Sequence, residues 1–88
     1  MSNVDFSSDA WNDYIYWQSN DKKALKKINA FIKEISRNPY EGTGHPEPLK
    51  GDLSGYYSRQ INEKDRLVYR IKNDKIEILS CKGHYDDK

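Results

Sequence analysis

Glu47 sits between two prolines in Pro46-Glu47-Pro48, and Lys50 follows three residues later. Downstream the chain carries Arg59, Arg66 and Arg70, and it closes on His84-Tyr85-Asp86-Asp87-Lys88. A carboxylate can take a proton, an imidazole can give one, and guanidinium groups can neutralise a phosphate that gains charge in a transition state. Cleavage of RNA by attack of a ribose 2'-OH on the neighbouring phosphate needs those three functions and no metal. The flanking prolines add a physical point: each fixes its own backbone, so the carboxylate between them is held rather than left to wander. Residue types by themselves prove no such site, because a loop glutamate, a strand arginine and a terminal histidine meet by chance in many small proteins.

Those groups must be positioned by a fold, and 88 residues allow one domain, residues 1–88. One third of the chain is charged, yet eleven residues are Phe, Trp or Tyr, too many for a disordered segment. The formal net charge is only +1, so any case for nucleic-acid binding rests on where the charges lie. A single cysteine, Cys81, excludes an internal disulfide, and no apolar run has the length of a membrane span or signal-peptide core. A reducing cytoplasm is the expected setting, with no membrane association. Cys81 in Glu77-Ile78-Leu79-Ser80-Cys81 reads as a buried strand residue or a nucleophile. The spacing Cys81-x-x-His84 could be completed only by His45 or the terminal aspartates, so neither a metal nor another cofactor is expected.

Along the chain, Asn3 to Ser7 alternate apolar and polar over the length of a short edge strand. Ser7 or Ser8 is placed to cap a helix that carries Trp11, Tyr14, Ile15 and Gln18 at helical spacing and ends near Asn20. Asp21 caps a second helix whose apolar residues Leu25, Ile28, Phe31, Ile32 and Ile35 repeat every three or four positions, until Asn38 before Pro39 disfavours helix. The other face of this helix carries Lys22, Lys23, Lys26, Lys27, Lys33 and Arg37 with Glu34 the lone acid: a solvated face, or a ridge for phosphates. From residue 56 the period changes to two, and strands over 56–61, 65–71 and 75–81 are joined by turns at 62–65 and 72–74. In the middle strand Leu67, Tyr69 and Ile71 point one way and Arg66, Val68 and Arg70 the other. The expected fold is therefore α+β: two N-terminal helices on a twisted antiparallel sheet, a three-stranded C-terminal meander plus a short N-terminal strand. The helices cover the Leu67 face, and the Arg66 face stays open to meet the Glu47 loop and the tail. Trp11, Tyr14, Trp17 and Phe31 read as core or dimer contacts, which leaves a homodimer open. Of Tyr56 and Tyr57, only one can face the cleft; there it could stack on a base.

Trp11-x-Asp13-Tyr14-x-Tyr16-Trp17, the run from Asn38 to Arg59, Arg66-Leu67-Val68-Tyr69 and the closing Cys81-x-x-His84-Tyr85 together closely resemble the YoeB toxins of the RelE/ParE superfamily. Each piece is unspecific and the combination is not. The resemblance implies a RelE-like fold and the toxin of a type II toxin-antitoxin pair. It also implies an endoribonuclease that enters the A site of the 70S ribosome and cuts mRNA during translation, with a YefM-type antitoxin as partner. By the same resemblance Glu47 is the general base, Lys50 lies near the RNA backbone, Arg66 stabilises the phosphate, His84 is the general acid and Tyr85 shapes the site. Arg59 matches a basic, substrate-binding position. Many relatives follow it with a second arginine where this chain has Gln60, so Lys50 or Arg70 is expected to supply the missing charge. In a ribosomal setting Lys22, Lys23, Lys26 and Lys27 become candidates for ribosomal RNA contacts. Two rivals stay open: a toxin of the same fold aimed at a target such as gyrase, and a non-catalytic nucleic-acid-binding module.

Overall fold

The computed structural model describes residues 3–83. Strand β1 (Asn3–Phe6) leads into helix α1 (Ser8–Asn20) and helix α2 (Lys22–Ile35); after a long loop come β2 (Glu47–Pro48), a single 3-10 turn (Gly51–Leu53), β3 (Tyr57–Gln60), β4 (Arg66–Lys72) and β5 (Lys75–Ser80). The five strands lie in the order β1-β5-β4-β3-β2. β1 runs parallel to β5 and every other neighbouring pair is antiparallel.

Local chemistry sets the helix ends. Ser7 caps α1: its Oγ accepts from the Ala10 amide (3.0 Å) and donates to the Leu79 carbonyl (2.7 Å), which ties the helix start to β5. Asp21 serves two helices at once. Its amide donates to the Trp17 carbonyl (3.0 Å) to close α1, while its carboxylate accepts from the Lys23 and Ala24 amides to open α2. α2 stops at Ile35, earlier than the proline signal at Pro39 implied, because the chain tightens there: the Arg37 amide donates to Glu34 rather than to Lys33. Between β4 and β5, Asn73 and Asp74 both take positive φ (52° and 64°), the two-residue turn whose twist matches a right-handed hairpin.

The core lies between the helices and one face of the sheet. Ala10, Trp17, Ala24, Ile28, Phe31 and Ile35 from the helices meet Leu67, Tyr69, Ile76 and Ile78 from the strands, all buried. Leu67 and Tyr69 therefore face the helices, as strand alternation required. Trp11 is different: it is 50% exposed and packs beside Phe6 and Tyr14 on the surface, not in the core.

The sheet corrects one expectation. Pro46-Glu47-Pro48 is not only a loop: Glu47 pairs with Ser58 and Pro48 with Tyr57, so this segment forms the edge strand β2. An edge is where prolines are tolerated, since the missing N–H would otherwise face solvent unpaired.

Candidate functional site

Register decides which side chains share the face away from the helices. Glu47 pairs with Ser58, Ser58 with Val68 and Val68 with Ser80, so these four form one row across the sheet. Gln60 and Arg66 form the next row, and Arg70 and Glu77 another. Glu47 is thus two strands over from β4 and one side-chain repeat along from Arg66. At ordinary strand spacing and rise this puts their Cα atoms on the order of 12 Å apart, a gap that a glutamate, an arginine and one phosphodiester between them can fill. Glu47 is exposed, and the floor between it and Arg66 is made of Ser58 and Val68, both buried.

Arg66 is held in place from both sides. Its Nη1 donates to the carbonyls of Asn62 (2.9 Å) and Asp65 (3.2 Å), so the 62–65 turn fixes the guanidinium's base. Its amide donates to the Gly83 carbonyl (3.1 Å), and the Gly83 amide donates to Asp65 Oδ1 (2.7 Å). The chain thus leaves the described region beside Arg66. His84 and Tyr85, the expected acid and its neighbour, lie outside the described residues.

Arg70 faces the same side, but its charge is engaged: Nε donates to Glu77 at 2.5 Å and the guanidinium lies 5.0 Å over the Tyr56 ring. The Glu77 hydrogen bond raises its pKa further. Tyr56 is therefore the tyrosine on the open face. Tyr57 turns to the helix side, against Tyr40 and Tyr69. Lys50 is exposed just beyond β2.

Arg59 does not stand with these groups. It pairs with Leu67, which faces the helices, so its side chain enters the protein and is fully buried. There the guanidinium ion-pairs with Glu34 and donates to the carbonyls of Asn38 (2.9 Å), Glu41 (2.9 Å) and Thr43 (3.3 Å) and to the Tyr69 hydroxyl (3.2 Å). The expected substrate-binding role is corrected: every donor is used inside the fold, and the residue clamps the loop that leads to Glu47. Glu34 answers from α2. The Thr43 amide that donates to it, helped by Arg59, holds its carboxyl below the ordinary glutamate range against the opposing pull of burial.

Among the described residues no group of three or more His, Cys, Asp or Glu stands close enough to hold a metal, and no helix is long and apolar enough to cross a membrane. Burial pushes the Cys81 thiol up to about 12, which removes it as a nucleophile and leaves it a core residue.

A profile of the YoeB-like toxins of bacterial type II toxin-antitoxin systems matches residues 6–85. The chain belongs to that family. It is 51% identical over 80 residues to the toxin YoeB of Escherichia coli K12, covering 91% of this chain and 95% of the relative. Among solved structures it resembles the YoeB dimer of Staphylococcus aureus at 54% identity and a TM-score of 0.89, covering 96% and 98% of the two chains. It resembles the S. aureus YoeB-YefM complex at 52% and 0.89, covering 97% and 99%.

Within this YoeB-like chain, sequence reasoning missed Asp13, Glu34 and Asp65. Local signals could have found two of the three. Glu34 is the one acid on a lysine face, and Asp13 sits inside the Trp11-to-Trp17 motif as its only charge. Lys22, Lys23, Lys26 and Lys27 are all exposed on α2. Lys27 also lines a shallow pocket of about 320 Å³ with His45, Gln60 and Asn62, so the lysine ridge of the toxin runs into the Gln60–Arg66 row.

Proposed function

We propose that this toxin is a ribosome-dependent endoribonuclease that cuts mRNA in the A site. The observation that carries the reading is the shared face: Glu47 at one edge, Arg66 across the Ser58–Val68 floor, and Gly83, the residue before His84, tied to the start of β4. Glu47 takes the proton of a ribose 2'-OH, which attacks its own 3' phosphate. Arg66 neutralises the charge gathered on the phosphorus oxygens, Lys50 steadies the backbone, and His84 protonates the leaving 5' oxygen beside Tyr85. The nucleophile belongs to the substrate, so the step calls for no metal-bound water. The products are a 2',3'-cyclic phosphate and a 5'-OH.

The same face suits inhibition. A YefM-type antitoxin, the partner in the S. aureus complex, would lay an acidic segment across it, and a toxin homodimer like that of S. aureus is the expected free form. A cytoplasmic setting follows from the ribosomal target. The test is an mRNA with one 2'-deoxy nucleotide before the scissile bond, programmed in a ribosome with the toxin. It should bind and stay whole, while the all-ribose message is cut to a cyclic phosphate end even with chelator at levels that spare the ribosome. Cutting of the deoxy message at the normal rate, or a 5'-phosphate product, overturns the mechanism.

A further inference from the structure

Asp13 and Asp65 have no part in the chemistry above, yet both are bonded to the short segment that leads into the terminal residues. β5 ends at Ser80, and beyond it the backbone bond to the sheet among the described residues is the one from the Arg66 amide of β4 to the Gly83 carbonyl. The Cys81 amide instead donates to Asp13 Oδ2 (3.0 Å), and the Cys81 carbonyl accepts from Trp17 Nε1 (2.7 Å). Two residues on, the Gly83 amide donates to Asp65 Oδ1 (2.7 Å) and the Gly83 carbonyl accepts from the Arg66 amide (3.1 Å). Gly83 takes φ +79° with open space where a Cβ would be, so its turn is set by these bonds and not by packing.

We propose that Asp13 and Asp65 are positioning residues for the RNA-cleaving reaction: with the Arg66 amide they fix Cys81–Gly83 at the start of β4, the anchor from which the chain runs on to His84. The proposal rests on the nuclease reading. Neither carboxylate needs to touch RNA. Each supplies one acceptor to one amide, which an asparagine oxygen supplies as well. Removing it releases the segment by an ångström or more, and a displacement of that size can slow a reaction about a hundredfold.

The test compares Asp65→Ala with Asp65→Asn and Asp13→Ala with Asp13→Asn. The readouts are single-turnover mRNA cleavage on pre-bound ribosomes, ribosome affinity, and hydrogen exchange of the Cys81 and Gly83 amides. Asp65→Ala should fold, since the turn keeps its own bonds from the Ile61 amide to the Asp65 carbonyl and from the Asp65 amide to Asn62 Oδ1. The alanine variants should cleave about tenfold to a hundredfold more slowly with affinity kept within about twofold. The Gly83 amide should exchange faster in Asp65→Ala and the Cys81 amide faster in Asp13→Ala. The asparagine variants should recover most of the rate. Asp65→Ala and Asp13→Ala cutting as fast as wild type would overturn the positioning roles alone, as would asparagine variants no better than alanine. A wild-type toxin that leaves ribosome-bound mRNA whole would overturn the nuclease reading and this proposal with it.

Discussion

Arg59→Met removes a guanidinium while keeping most of the side chain's bulk. The lost interactions are the Glu34 ion pair, three loop carbonyls and the Tyr69 hydroxyl. Breaking a buried pair by deleting one partner costs about 3 to 5 kcal/mol. The Glu34 side chain is 33% exposed, and Asn38, Glu41 and Thr43 lie at the surface, so water relieves part of that loss and the lower end applies. A loss of about 3 kcal/mol in a domain of this size lowers Tm by roughly 12 to 24 °C. Glu34→Gln keeps an acceptor for the Thr43 amide and for Arg59 but leaves the fully buried guanidinium without its counter-charge, so it should lose about 3 kcal/mol as well. Calorimetry reads the stability. A potassium chloride series of ribosome association, run cold enough that the variant stays folded, reads the phosphate contacts. A buried clamp predicts the large Tm drop with an unchanged salt slope. The opposite pair, a Tm within about 2 °C of wild type and a log-log salt slope smaller by about one, would return Arg59 to the RNA and refute the assignment.

Changing Lys22, Lys23, Lys26 and Lys27 together to Ala should weaken ribosome association and flatten its salt dependence while leaving cleavage on a pre-bound complex intact; a wild-type salt slope would make the ridge a solvated face. Glu34 binds fewer protons folded than unfolded, so its stabilisation is present above the ordinary glutamate pKa and is lost as pH falls through the lowered one. Urea midpoints should therefore show the gap between wild type and Glu34→Gln closing as pH drops from neutral to below about 4; a constant gap would discard the linkage. In Gly44→Ala the new Cβ would lie 2.6 Å from Phe31 Cζ at φ +81°, whereas in Gly55→Ala, at φ +97°, it meets nothing within 4 Å. Both should lose about 1 to 2 kcal/mol to left-handed backbone strain, and Gly44→Ala about 1 to 3 kcal/mol more from the clash with a core ring, so a Gly44→Ala protein melting as high as Gly55→Ala would contradict the packing.

Features governed by neighbours along the chain are legible in the sequence itself. The Asp21 cap, the helical repeat through Ile28, Phe31 and Ile35, and the two-residue period of β4 depend on bonds a few residues long, so residue type and spacing state them directly. The outward turn of Arg66 and Arg70 followed from the same alternation, whereas Cys81, out of phase with Ile76 and Ile78, reaches the core only past the register shift opposite Val68 and Tyr69. What the chain by itself left undecided is every choice made by pairing distant segments. Alternation shows that Arg59 and Gln60 point opposite ways; only the β3–β4 register, Arg59 against Leu67, shows which one enters the core. The Pro46-Glu47-Pro48 segment could be seen to be stiff, but its place as an edge strand comes from Ser58 and Tyr57. Nothing local marks Asp13 as a partner of an amide 68 residues later. A one-residue change of register would reverse each of these faces without altering a single local preference, and that is why the tertiary structure, through the helix-packed core that fixes the register, had the deciding part.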